Sequence, residues 1–208
     1  MRKRGKMKKT FVGAVAALLF MFCFSLHPVS AQAAEHMLQM ENDEWVCYTA
    51  GQRDNSYTGM AVNEYGWWYL TDGEIDWDYT GMACNEYGWW YFDNGMLDLT
   101  YTGMACNKYG WWYFNNGQID FGYNGFATNE YGTWLFTDGI LNAGFTGMIL
   151  NGDTWVYVTD GYISNTYTGM ALNDYGWWYF NNGTLDFNYT GMALNDYGWW
   201  YFNNGQLN

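Results

Sequence analysis

Few side chains in this 208-residue sequence could do acid–base or nucleophilic chemistry, and the groups that recur are aromatic. Beyond residue 33 there is one histidine (His36), one lysine (Lys108), one arginine (Arg53) and two serines (Ser56 and Ser164). No Ser-His-Asp, Cys-His or metal-binding set assembles from them. Carboxylates are plentiful but periodic: Glu64, Glu86, Glu130, Asp174 and Asp196 share one position, Asp76, Asp98, Asp120 and Asp186 another. A catalytic carboxylate pair should break such a pattern once. These acids read instead as solvated turn residues that keep an aromatic chain soluble. The cluster Asp72, Glu74, Asp76 and Asp78 lacks the spacing of a calcium loop. The sequence therefore predicts no enzyme, no cofactor and no metal. What recurs is a tryptophan and a tyrosine two residues apart: Trp67 and Tyr69, Trp89 and Tyr91, Trp111 and Tyr113, Trp155 and Tyr157, Trp177 and Tyr179, Trp199 and Tyr201. That spacing puts both rings on one face of a strand, so binding is the expected chemistry.

The elements that hold these rings are repeats. Tyr57-Thr58-Gly59-Met60 recurs from Tyr79, Tyr101, Tyr123, Phe145, Tyr167 and Tyr189, always 22 residues on. These are repeats one to seven, over 57–208. Residues 45–56 are in phase with the second half of a repeat and are expected to act as a cap, with 34–44 as a loose leader. Within repeat six, Thr168 to Leu172 is strand-like, and Asn173 to Gly176 is a turn with glycine where a hairpin needs it. Trp177-Trp178-Tyr179-Phe180 fits a pleated surface, and Asn181-Asn182-Gly183 turns the chain toward the next unit. A lone hairpin with two aromatic faces is marginal in water. Stacked neighbours would bury those faces, so the predicted fold is all-β, a solenoid of hairpins.

The start of the chain reads as an export signal over 1–33. Arg2, Lys3, Arg4, Lys6, Lys8 and Lys9 precede an apolar run of about 16 residues and Ala31-Gln32-Ala33. The cut is placed after Ala33, with Ala31 as the alternative; the run is short for a membrane span of about 20 residues. Beyond it, Arg53 and Lys108 face all 21 acids, a net charge of −19. That disfavours nucleic acid and anionic membranes, which need basic footprints. A neutral sugar or a cationic group is the better electrostatic match. Of the three cysteines beyond the signal, Cys84 and Cys106 stand one repeat apart where other repeats have Val62, Thr128, Leu150, Leu172 and Leu194. The expected role is a small buried apolar residue; a Cys84–Cys106 disulfide is the alternative.

Thr168-Gly169, then Trp177-Trp178-Tyr179-Phe180-Asn181, then Gly183 resemble the choline-binding and related cell-wall-binding repeats of Gram-positive surface proteins. The resemblance covers 45–208. It implies a hairpin solenoid and a secreted protein held at the cell wall or cell surface by cell-wall polysaccharide, a teichoic acid substituent or a surface glycan. In choline-binding members an aromatic cage between consecutive repeats holds a trimethylammonium group, because aromatic faces attract poorly hydrated cations. The strand matches carry over to the six Trp and Tyr pairs above. The family's Thr-Gly-Trp tryptophan is replaced by methionine in six repeats, so Met82, Met104, Met170 and Met192 are expected as a cage wall. The repeats also resemble glucan-binding repeats, whose aromatic platforms stack on sugars, and the ligand stays open between choline, glucan and another glycan.

On this reading Trp177, Tyr179 and their equivalents face the clefts, while Trp178, Phe180 and theirs are core. Repeat four, with Thr133 and Leu135, loses the cleft face; repeat five, with Val156 and Val158, loses the other. The competing reading is a structural or adhesive protein whose aromatics are all core and which acts through a protein partner.

Overall fold

Two turns set the geometry of each repeat. In repeat six, Asn173 Oδ1 accepts from the Tyr175 N–H at 2.9 Å. This closes a tight turn between antiparallel strands Gly169–Asn173 and Gly176–Asn181. The second turn, at Asn182 and Gly183, has positive φ at both residues (51° and 79°). That is the two-residue hairpin turn whose twist matches the strands. It folds a short third strand, Thr184–Leu185, back onto the second, with Phe180 opposite Leu185. Each unit is thus a hairpin with a two-residue return strand. The hairpin itself was expected from the sequence; the return strand was not.

The computed structural model describes residues 36–208, so the signal peptide expected over 1–33 lies outside the described residues. All regular structure in the described residues is β-strand. The chain divides into two compact units, with the boundary in sequence between Trp77 and Asp78.

In the second unit, residues 78–208, six hairpins follow one another. Each after the first is tied to the one before it through its return strand: Gln118 pairs with Trp90, Ile140 with Trp112, Tyr162 with Trp134, Thr184 with Val156, and Gln206 with Trp178. The glycine carbonyls of the second turns accept from the preceding strands, as in Tyr91 N–H to Gly117 and Tyr157 N–H to Gly183, both 2.8 Å. Side chains seal the same junctions. Cross-strand register puts Met170, Leu172, Trp177 and Tyr179 on one face of a hairpin and Ala171, Trp178 and Phe180 on the other. The first face packs against the second face of the next hairpin. Met170, Trp177 and Tyr179 meet Ala193, Phe202 and Leu207 in one cluster. The same set recurs 22, 66 and 88 residues earlier. Both faces are apolar because a hairpin with a neighbour on each side is covered on both, and the phenylalanines at the centre (Phe92, Phe114, Phe136, Phe180, Phe202) are fully buried.

The first unit, described over 36–77, corrects the loose leader. His36–Glu41 is a strand, antiparallel to Glu44–Thr49 with Leu38 opposite Cys47. Leu38 stands 22 residues before Met60 and is buried, 3 % exposed. His36 stacks on Tyr57 at 3.7 Å. Residues 36–49 therefore form a whole hairpin, stabilised by an apolar side chain in the right phase without the aromatic motif.

The cysteines also depart from expectation. Cys47 is buried, but Cys84 and Cys106 are exposed and all three are free thiols. Cys84 lies opposite Trp89 at the turn end of its hairpin, on the rim of the packed face. Leu150, Leu172 and Leu194, at the same position, are exposed too.

Candidate functional site

At the rim of one junction the two packed faces part. Between repeats six and seven this leaves a cavity of about 440 Å³ lined by Met170, Trp177, Asn195, Tyr197, Trp200 and Leu207. Trp177 is one wall, from the first face of repeat six. Trp200 is the other, from the second face of repeat seven. Met170 and Leu207 belong to both the cavity lining and the core cluster beneath it. Tyr197, 82 % exposed, stands at the lip.

The wall from the later repeat is held in place by the turn. Asn195 Oδ1 accepts from Trp200 Nε1 at 3.0 Å and from the Tyr197 N–H at 2.9 Å. One amide oxygen thus closes the turn and fixes the indole. The same pair of bonds recurs at Asn63, Asn85, Asn107, Asn129 and Asn173.

Equivalent residues converge at three other junctions of the second unit: Met82, Trp89, Trp112 and Ile119; Met104, Trp111, Trp134 and Leu141; Met148, Trp155, Trp178 and Leu185. In the first unit Trp45 meets Tyr65 edge-on at 5.9 Å, and Asn63 holds Trp68. The junction of repeats four and five differs. It packs Phe126, Phe145 and Ile149 on Val156, Val158 and Ile163, with no tryptophan.

The expected site residues divide on this geometry. Trp89, Trp111, Trp155 and Trp177 stand at junctions between repeats, and Trp177 lines the cavity. Met82, Met104 and Met170 are buried at 8 % exposure, so they form the floor of the cleft and not an open wall. The tyrosines do not face the cavity. Tyr91, Tyr113, Tyr157 and Tyr179 stack face to face, at 3.5 Å, on Tyr101, Tyr123, Tyr167 and Tyr189 of the following repeat. The second ring of each stack is anchored by its hydroxyl, which donates to a backbone carbonyl, as Tyr101 does to Met104 at 2.8 Å. Burial, with Tyr91 next to it, pushes the Tyr101 phenol up to about 12; Tyr167 beside Tyr157 is raised alike, to about 12. Trp67 and Tyr69 are half-buried in the first unit, and Met192, Trp199 and Tyr201 are exposed on the last hairpin.

Three residue types were not expected at the site. Trp178, assigned to the core, is a half-buried second wall, as are Trp112 and Trp134. The lip tyrosines (Tyr65, Tyr109, Tyr131, Tyr175, Tyr197) and the turn asparagines complete it. The signal was the 22-residue phase itself: a cleft takes its first tryptophan from one repeat and its second from the next. Among the described residues no group of three His, Cys, Asp or Glu side chains could hold a metal ion. Several carboxylates in the connectors instead cap turns, as Asp98 does by accepting from the Thr100 N–H at 2.8 Å.

Stacked hairpins with paired tryptophans at their junctions define a class of ligand-binding repeat protein. The repeats at 56–76, 78–98, 100–120, 144–164, 166–186 and 188–208 match the family described as the choline-binding repeat. The chain belongs to the choline-binding repeat family. Repeat four, which lacks the Trp-Trp pair, is outside the matched segments. Among solved structures it is similar to CbpJ from Streptococcus pneumoniae TIGR4 (21% identity over 80% of this chain and 58% of that one, TM-score 0.31). It is also similar to choline binding protein F from Streptococcus pneumoniae (21%, 79% and 55%, TM-score 0.29). A third is the multimodular pneumococcal cell wall endolysin from phage Cp-1, solved complexed with choline (24%, 67% and 41%, TM-score 0.28). The chain thus spans 58% and 55% of the first two. No curated protein matches it.

Proposed function

We propose that this protein is a secreted, non-catalytic cell-wall-binding protein that grips a repeating wall or surface polymer through several junction clefts at once. The observation that carries the reading is the recurrence of the Trp177–Met170–Trp200 set of residues 22, 66 and 88 residues earlier. Two indoles facing one small cavity suit a group that is weakly hydrated and apolar on its faces, a quaternary ammonium before all others. The net charge of −19 beyond the signal supports a cation, and so do the acids beside the lip tyrosines, Glu64, Glu130, Asp174 and Asp196. Membership of the choline-binding repeat family supports choline carried on teichoic acid as that cation. Weak clefts on one chain gain strongly from effective concentration when the ligand also repeats. Secretion is supported by the basic and apolar start of the chain. A non-catalytic role is supported by the single histidine, lysine and arginine beyond it. Neither nucleic acid nor membrane is a partner on this reading.

Capture on purified Gram-positive cell walls tests it, with elution by choline and then by soluble glucan. Elution by choline is expected. Elution by glucan alone moves the ligand to a sugar, and failure to bind walls or glucan favours a protein partner.

A further inference from the structure

The cleft asparagines have a second end. Oδ1 of each takes two donors, the indole Nε1–H and a backbone N–H, and this settles which end of the amide is oxygen. Nδ2 is therefore directed away from those bonds. In the first unit Asn63 is 9 % exposed, and its Nδ2 is buried with no hydrogen-bond partner among the described residues. Asn107 Nδ2, at the junction of repeats two and three, is also buried and without a partner. At the junction of repeats six and seven the direction is explicit: Asn195 Nδ2 lies 3.1 Å from Met170 Sδ, on the cleft floor. A thioether is a weak acceptor. At Asn63 the place of that methionine is taken by Leu38, which offers none.

A buried donor without an acceptor is unfavourable, and a ligand oxygen placed there would relieve it. We propose that each complete cleft reads two features of its ligand: the group between the two tryptophans, and a hydrogen-bond acceptor oxygen that receives the Nδ2–H of the cleft asparagine. The proposal rests on the clefts being the wall-binding sites and adds what they select. A bare quaternary ammonium has no acceptor and meets the positive end of the amide dipole. Choline carries an oxygen two carbons from its nitrogen; a sugar ring carries several. The shared chemistry is an oxygen acceptor next to an apolar face.

The test is isothermal titration of the intact protein with choline, with n-propyltrimethylammonium (a methyl in place of the hydroxyl) and with a glucan oligosaccharide. Choline is expected to bind roughly threefold to tenfold more tightly than its propyl analogue, the fold-change of one hydrogen bond. The combined substitutions Asn63→Asp, Asn107→Asp and Asn195→Asp keep the oxygen that holds the indole and remove the donor. They are expected to narrow that difference and to strengthen both cations. Binding of the oligosaccharide, weakened by the same substitutions, also supports the proposal and names a sugar as the source of the oxygen. Equal affinity for the two cations without sugar binding overturns it and leaves the cation-binding clefts standing. Sugar binding unchanged by the substitutions overturns it as well. No binding of any of the three overturns both this proposal and the proposed function. A preference for choline over its propyl analogue supports the proposal on the unsubstituted protein, and equal affinity without sugar binding overturns it there, so both outcomes stand even if the variants do not fold.

Discussion

Trp177 and Tyr179 are two residues apart on one face of one strand, yet they do different work. Trp177 reaches the rim and lines the cavity. Tyr179 is held in a stack with Tyr189, against Phe202. Trp177→Ala should therefore weaken ligand binding at that junction about tenfold or more while leaving most of the fold's stability. Tyr179→Ala should cost roughly 2–4 kcal/mol, close to the range for large-to-small core changes. Denaturant melts and ligand titrations on the two variants separate these outcomes; equal losses from both would remove the distinction. The stacks also set an alkaline limit. The Tyr101 and Tyr167 phenols are pushed up to about 12 from 10.0 by burial first and by their stacked partners second. A raised folded pKa means that the folded protein keeps protons the unfolded chain gives up. Their contribution is full below pH 10 and is lost as pH rises from 10 toward 12. Tyrosinate absorbance and near-ultraviolet circular dichroism, followed together, should change in that window. The alternation of faces was legible in the sequence, but the tyrosine's partner was not. That partner is the first residue of the next repeat, and no pattern inside one repeat pairs them.

Within one repeat the return strand depends on a two-residue turn. Asn-Gly or Asp-Gly recurs there, from Asp72-Gly73 to Asn204-Gly205, with positive φ at both residues. The sequence carries this strong hairpin signal in every repeat. It reads as a mere exit turn because the strand after it is only two residues long. At Gly117 (φ 76°) a Cβ would press on the Asp98 carbonyl, so the position is closed by backbone as well as by conformation. Gly117→Ala should lose on the order of 1–3 kcal/mol, by strain at positive φ and by displacement of the return strand. It should also loosen the bond from Tyr91 N–H to the Gly117 carbonyl, which ties repeat three to repeat two. Amide exchange at Tyr91 reads that directly: faster exchange is expected, and unchanged protection would mean the junction does not rely on the turn. The leading hairpin teaches the same lesson. His36–Glu41 has none of the aromatic pattern, and only the phase of Leu38 marks it as a strand.

Across the second unit, the two irregular repeats harm one cleft and not two. A cleft takes its first tryptophan from one repeat and its second from the next. Repeat four has Thr133 in place of the first, repeat five has Val156 in place of the second, and both positions belong to their shared junction. Trp134 still pairs with Trp111, and Trp155 with Trp178, so the flanking clefts keep both walls. Reading each repeat alone assigns two defects; reading junctions assigns one. The volume at this junction is balanced as well. Elsewhere the second tryptophan lies opposite an alanine, as Trp178 does opposite Ala171, whereas Val156 lies opposite Ile149. One large and one small residue have become two of middle size, the kind of exchange a core tolerates. V156W alone should therefore overfill the junction and cost about 1–3 kcal/mol. With I149A the space returns, Asn151 stands where the other repeats place the indole's acceptor, and T133W supplies the opposite wall. The triple variant T133W/I149A/V156W should bind one more equivalent of ligand than the unsubstituted protein. The added site should be weaker than the others, because Asp153 occupies the lip position held by tyrosine in the complete clefts. Calorimetric stoichiometry decides it: an unchanged number of sites in a folded triple variant would show that paired tryptophans over a junction are not sufficient to make a binding cleft.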